Sequence, residues 1–242
     1  MLRNAIACLL LLLALPASAN EPLIKKNLEP RLGGARIEGV EPSPVSGLFE
    51  VRVRTMEGVQ ILYTDAAGNY VIQGSLFDVR AARDLTEERV RKLNAIAFSS
   101  LPLDQAVKVQ RGSGERILAM FSDPYCPACR QFEKELAKVD NVTVYVFMYP
   151  VIRPANKDHS EAVWCSKDRA TAWLQLAAAP TPKVPEARAD CPNPVERNLV
   201  LGRSLGVNST PTIYLANGEK HTGIQPAAEL HKLLDKAAAK KR

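Results

Sequence analysis

Cys126 and Cys129, separated by Pro127-Ala128 and set between an apolar run and an amphipathic segment, limit the folds open to this chain more than any other feature. Arg116 to Ser122 is short and apolar enough to be a buried strand. After Asp123-Pro124-Tyr125 the apolar positions Phe132, Leu136 and Val139 predict a helix, and Val142 to Tyr149 reads as a second strand. Strand, helix, strand at this spacing is a βαβ unit, whose crossover makes the two strands parallel. The first cysteine then falls at the helix N-terminus, where unpaired amides and the helix dipole favour a thiolate. Each unit of pKa depression there is about 1.4 kcal/mol of thiolate stabilisation. Cys126 is therefore expected to be an exposed nucleophile. Cys129, one turn into the helix and less accessible, is expected to resolve the mixed disulfide that Cys126 forms. Pro127 fits the first turn, where its missing N–H is harmless.

Two other uses of such a motif compete. A zinc site would want a second close pair, but Cys165 and Cys191 lie 26 positions apart and the three histidines, His159, His221 and His231, stand at no ligand spacing. No metal and no cofactor is expected. A purely structural disulfide across the motif is the second alternative, against which the flanking strand and helix are the redox arrangement. No phosphate loop, paired catalytic carboxylate or serine triad is visible, and Trp164 and Trp173, near helical spacing, read as core.

The 242 residues are 46% hydrophobic and 24% charged, which excludes a disordered, collagen-like or coiled-coil chain. Ile6 to Leu15 carries no charge, follows Arg3 and precedes Ala17-Ser18-Ala19. This reads as a secretory signal peptide cleaved after Ala19, and a membrane anchor would need about eight more apolar residues. Cleavage lowers the net charge of +6 by one, with Arg3, and the five cysteines by one, with Cys8. An even cysteine count in an exported chain favours disulfides. The basic tail Lys236 to Arg242 reads as a solvated end, so nucleic acid is not implied.

Towards the N-terminus, Phe49, Val51 and Val53 alternate with Glu50, Arg52 and Arg54 as in a half-buried strand. Val59 to Thr64 and Tyr70 to Val79 read as two further strands, with turns at Glu57-Gly58 and Ala67-Gly68-Asn69. So small a meander needs a helix or a second copy against it, and Leu23 to Leu32 is a candidate cover. Leu85 to Phe98 reads as a linker helix capped by Thr86. Residues 155 to 206 read as helices broken by a Pro-rich loop. Thr212 to Ala216 and Glu219 to Ile224 form a hairpin around Asn217-Gly218, which suits a type I′ turn, and Ala227 to Ala239 is a closing helix.

Phe121-Ser-Asp-Pro-Tyr-Cys126-Pro-Ala-Cys129, Gly206-Val-Asn-Ser-Thr-Pro211-Thr and the Asn217-Gly218 hairpin together resemble the thioredoxin superfamily, and within it the periplasmic DsbC/DsbG family. Pro44-Val45-Ser46-Gly47-Leu48, Ile61-Leu62-Tyr63-Thr64-Asp65 and Val71 to Val79 resemble that family's dimerisation domain. The resemblance implies an α+β chain: a signal peptide at 1–19, a cystatin-like β-rich dimerisation domain at 20–82, a linker helix at 83–104, and a thioredoxin fold at 105–242. A helical insertion at about 155–206 is expected between the second and third sheet strands. The resemblance further implies a cis bond at Thr210-Pro211 beside the catalytic Cys126 and Cys129, with the Thr210 backbone free to pair with substrate. Cys165 and Cys191, if paired, close a loop worth roughly 3.5 kcal/mol in the chain-entropy model, and the resemblance makes that pair a structural disulfide. It also implies a homodimer in the periplasm that rearranges disulfides of misoxidised exported proteins, kept reduced by the membrane reductase DsbD. Reduction of sulfenylated cysteines, as in the DsbG branch, and a disulfide-independent chaperone are the alternatives. Two departures stand out: the dipeptide is Pro127-Ala128, and Met120 occupies the position, six before the first cysteine, where thioredoxin carries a buried aspartate.

Overall fold

The computed structural model describes residues 19–186 and 190–239. The expected signal peptide, apart from Ala19, lies outside the described residues, and Cys8 with it; so do residues 240–242 of the basic tail. The chain divides in sequence between Ala82 and Arg83 into two compact units.

The first unit opens with a helix, Glu21–Leu28 (α1), capped by Asn20, whose side-chain oxygen accepts from Leu23 N at 3.1 Å. Four antiparallel strands follow, adjacent in chain order: Arg36–Pro42 (β1), Phe49–Thr55 (β2), Gly58–Thr64 (β3) and Val71–Ile72 (β4). Ile24 and Leu28 of α1 pack on Ile37, Val51, Val53 and Leu62, so the segment suspected of covering the meander does so. Each such aliphatic side chain taken out of water contributes about 1.5–3 kcal/mol. The alternation of β2 appears as read, with Phe49, Val51 and Val53 buried.

Two expectations for this unit need correction. The long third strand, Tyr70 to Val79, is only β4 and a two-residue strand, Phe77–Asp78 (β5), because Gly74-Ser75 interrupts it. The first strand, β1, escaped the reading because a bulge between Ile37 and Gly39 breaks its alternation. A Cβ at Gly39 would lie 2.2 Å from the Arg52 guanidinium, so a larger residue there would displace the end of that side chain.

The second unit is built on a five-stranded sheet in the order β11-β10-β8-β9-β7. Its parts are Arg83–Asp84 (β6), Leu85–Leu93 (α2), Val107–Arg111 (β7), Arg116–Ser122 (β8), Pro127–Leu136 (α3) and Val142–Met148 (β9). Lys157–Cys165 (α4), Arg169–Trp173 (α5), a π-helical turn at Leu174–Ala178, Val195–Ser204 (α6), Thr212–Leu215 (β10), Lys220–Thr222 (β11) and Ala227–Ala239 (α7) complete it. β8 and β9 are parallel across α3, as the βαβ reading requires, and the other three pairings are antiparallel. Successive residues of β8 serve opposite faces: Leu118 and Met120 join Phe132, Leu136, Trp173 and Leu234, while Ala119 and Phe121 join Phe147, Tyr149 and Tyr214. Both tryptophans of the insertion are core.

Three details differ from the sequence reading. Helix α2 ends at Leu93 and is capped by Asp84, whose carboxylate accepts from Glu87 N at 2.8 Å, while Thr86 sits buried in the first turn. The antiparallel edge strand β7, short and half charged, was not foreseen, so the insertion falls between the third and fourth strands of the sheet rather than the second and third. The β10–β11 hairpin has a three-residue loop: Leu215 N bonds Glu219 O at 3.1 Å and Gly218 N bonds Leu215 O at 2.8 Å. Of the Asn-Gly pair only Gly218 has a positive φ, +82°, which fits a type I turn with a left-handed glycine and not type I′. A Cβ at Gly218 would strike the Ile96 carbonyl at 1.8 Å.

Candidate active site

Strand β8 delivers the chain to the site at Ser122, and Asp123 turns it. The Asp123 carbonyl accepts from Cys126 N at 3.1 Å, closing a reverse turn with Pro124 at its second position, where a fixed φ is favoured. The Asp123 carboxylate, almost fully buried, accepts from Tyr125 N and, across the end of β9, from Ile152 N, both at 2.7 Å. The turn leaves Cys126 as the N-cap of α3, with Pro127 at the first helical position. No side chain caps this helix, so its first amides remain for an anion.

The cis peptide at Thr210-Pro211 precedes β10. Thr212 pairs with Phe121, so Pro211 falls opposite Ser122, at the same end of the sheet as the cysteine turn. The Cys126 Sγ donates to the Thr210 carbonyl oxygen at 3.3 Å. The structure thus brings Cys126, Thr210 and Pro211 together, and both motif cysteines are free thiols.

Cys126 is the more accessible of the two, but at 5% exposure it is buried, a correction to the exposed nucleophile expected from sequence. The cause is the Thr210 loop lying on it, an element 84 positions away that no local pattern reports. Cys129 is fully buried. Burial pushes its thiol up to about 12, against the lowering effects of the Ser122 hydroxyl, the Thr210 hydroxyl and the Asp123 N–H, while the neighbouring Cys126 raises it.

Cys165 and Cys191 form a disulfide with S–S 2.12 Å and Cα–Cα 5.8 Å, joining α4 to the segment before α6. The segment between α4 and α6 is also tied to α3: Arg130 donates to the Leu176 carbonyl at 3.0 Å and to that of Ala179. Sequence reasoning missed three groups at or near the site. His159 of α4 meets the Tyr125 hydroxyl through Nδ1, and the Arg153 guanidinium lies 5.7 Å from the Tyr125 ring centre. Glu133, one turn beyond Cys129 and 2% exposed, accepts from Trp173 Nε1 at 2.8 Å, with Arg111 Nη2 at 3.5 Å. Burial raises its pKa, and the Trp173 bond and Arg111 charge pull the other way. Their partners are distant in the chain; only the acid at an i+4 position from Cys129 was open to notice. Among the described residues no group of three or more His, Cys, Asp and Glu side chains is placed to hold a metal ion, and no helix is long and apolar enough to cross a membrane.

A dithiol at the N-terminus of the first helix of a βαβ unit, lying against a cis-proline loop, defines a thioredoxin-fold thiol-disulfide oxidoreductase. Comparison with known proteins makes the class particular. Residues 103–238 match the thioredoxin-like domain family, and residues 14–87 match the disulfide bond isomerase protein N-terminal domain family. The probable thiol:disulfide interchange protein DsbC of Bordetella parapertussis is 38% identical over 208 residues, covering 86% of this chain and 71% of that protein. The thiol:disulfide interchange protein DsbC of Escherichia coli K12 is 29% identical over 228 residues, covering 90% and 89%. A crystal structure of the disulfide interchange protein from Neisseria gonorrhoeae superimposes with a TM-score of 0.54 at 36% identity, over 57% of this chain and 99% of that one. The chain belongs to the DsbC family of thiol:disulfide interchange proteins.

Proposed function

We propose that Cys126 is the nucleophile with which this isomerase rearranges wrong disulfides in exported proteins, and that Cys129 is the resolving thiol. One observation carries the reading: the Cys126 sulfur stands at the uncapped N-terminus of α3 with the Thr210 carbonyl of the cis-Pro211 loop beside it. As thiolate, Cys126 attacks one sulfur of a client disulfide; the Cys126–client bond forms, the client bond breaks, and the other client sulfur leaves as thiolate. A client thiolate then attacks the mixed disulfide, forms the correct bond and returns Cys126 as thiolate, with no net change of electrons. If Cys129 attacks instead, the client leaves reduced and Cys126–Cys129 becomes a disulfide. Two electrons must then come from outside, for which the membrane reductase DsbD is the proposed donor. Clients and donor of this kind fit a periplasmic protein, with residues 1–19 as the proposed signal peptide.

We further infer a homodimer through the first unit. Its edge strand β4 and the residue before it leave Tyr70, Val71 and Ile72 exposed, apolar surface on an edge unpaired among the described residues, which a second copy would cover. The Cys165–Cys191 disulfide favours the isomerase branch over a reductase of sulfenylated cysteines. The test is refolding of a scrambled multi-disulfide protein by the full chain. Cys126→Ala is expected to abolish it, whereas a disulfide-independent chaperone would keep its activity and overturn the reading.

A further inference from the structure

Two hydroxyls beside the cysteine pair have no use in the cycle as written. Ser122 Oγ is fully buried on the last residue of β8, and Thr210 Oγ1 is buried on the residue before the cis proline. Neither has a hydrogen-bond partner among the described residues, although a buried hydroxyl left unpaired costs about 1–3 kcal/mol. Sheet register puts both at one spot, since Thr212 pairs with Phe121 and Ser122 therefore stands across from Pro211. Both lie near enough to the Cys129 sulfur to lower its pKa, as does the Asp123 N–H.

We propose that Ser122, with Thr210 and the Asp123 amide, forms a donor cradle for negative charge on Cys129, so that Ser122 is a catalytic residue for the resolving step and its reverse. The inference rests on the assignment of Cys129 as resolving thiol. A neutral thiol is a weak acceptor, and the hydroxyls stand idle beside it; a thiolate accepts strongly from all three. Donors engaged only when charge develops lower the barrier without stabilising the resting state. In the forward step the Cys129 thiol gives its proton to solvent, its sulfur attacks Cys126 Sγ, the Cys126–Cys129 bond forms, and the client sulfur leaves with the electron pair and is protonated. In reverse, a client thiolate attacks Cys126 and Cys129 leaves as the cradled thiolate. Other groups do not replace the cradle. Met120 supplies no acid, the Asp123 carboxylate is held by Tyr125 N and Ile152 N, and the Glu133 carboxylate by Trp173 and Arg111.

The aromatic disulfide reagent DTNB separates the two thiols in one experiment on the reduced full chain. Attack by Cys126 releases one coloured thiolate and leaves a mixed disulfide; attack by Cys129 on that mixed disulfide releases a second. Absence of the first phase in Cys126→Ala and of the second in Cys129→Ala tests the assignment itself. Given that assignment, Ser122→Ala is expected to keep the first phase and slow the second about 10-fold, equivalent to about 1.4 kcal/mol. It should also move the pH midpoint of that phase upward, and Ser122→Thr should restore both. A second phase unchanged in Ser122→Ala, or slowed equally in Ser122→Thr, overturns the proposal. If Ser122→Ala does not fold, Thr210→Val removes the other hydroxyl and keeps the carbonyl that Cys126 uses; an unslowed second phase there overturns the cradle as well.

Discussion

His221 makes a sharp test of how charge is balanced behind the sheet. It lies on β11 opposite Ile213, is 8% exposed, and its Nε2 has no hydrogen-bond partner among the described residues. The carboxylate of Glu219, itself buried, is 3.9 Å away, so an ion pair is one reading of the site. The other is that burial keeps the imidazole neutral. Burial is the larger effect, and the Arg91 and Lys236 charges add to it against Glu219 and Glu87, lowering the pKa from 6.5 to about 4. The two readings predict opposite signs. A depressed histidine leaves the unfolded chain binding more protons between pH 4 and 6.5, so stability is complete above 6.5 and falls as pH drops through that window. From these two values the loss is about 1.4 kcal/mol at pH 5.5 and about 3 kcal/mol at pH 4. An ion pair would raise the folded pKa, and its stability would be present in acid and lost as pH rises. The measurement is the imidazole titration by NMR, joined to urea unfolding of wild type and His221→Gln between pH 4 and 8. The stability of wild type minus that of His221→Gln should fall toward acid. A midpoint above 6.5, or a wild-type stability that rises toward acid relative to the variant, would refute the reasoning.

Replacing both Cys165 and Cys191 by Ala should cost up to about 3.5 kcal/mol from loop entropy, or roughly 7–14 °C in melting temperature. Calorimetry reads this, and amide exchange should rise first in α4 and α6. Asp84→Ala removes the cap of α2 and should cost about 1 kcal/mol, which Asp84→Ser largely restores in thermal melts. Ile72→Lys puts a charge on the exposed edge of the first unit. Sedimentation should report a monomer, with scrambled-disulfide refolding lost while the DTNB reaction of Cys126 persists; an unaltered dimer would reject that edge as the interface.

What the sequence disclosed and what it hid divide along chain distance. The βαβ unit around Cys126 was legible because strand, turn and helix signals are local, and Pro127 and the apolar positions of α3 carry them in one short stretch. The Ala227–Ala239 helix was legible for the same reason. Strand β1 was hidden because its bulge breaks the period of two, and the type I′ turn was misread because dipeptide preference cannot see that Ile96 packs against Gly218. The site follows the same rule. Thr210 and Pro211 were placed by resemblance, since cis geometry is not written in the residues, whereas Glu133, His159 and the burial of Cys126 depend on partners dozens of positions away.

The same geometry bears on why such a chain isomerises. On the roles proposed for the two cysteines, once Cys126 enters a mixed disulfide the outcome is a competition between Cys129, which ends the encounter by reducing the client, and a client thiol, which ends it by forming a new bond. Burial at Cys129 weighs against the first, since a thiol held at about 12 offers little thiolate at neutral pH. Thioredoxin's position for a proton-accepting acid is filled here by Met120, locked in the core beside Phe132 and Ile213. Escape then has no acid at that position and, on the cradle proposed above, depends on donors that act only as charge forms. The time this gives the client is time to try another pairing, and a site tuned in the opposite direction would release clients reduced before their disulfides could be rearranged.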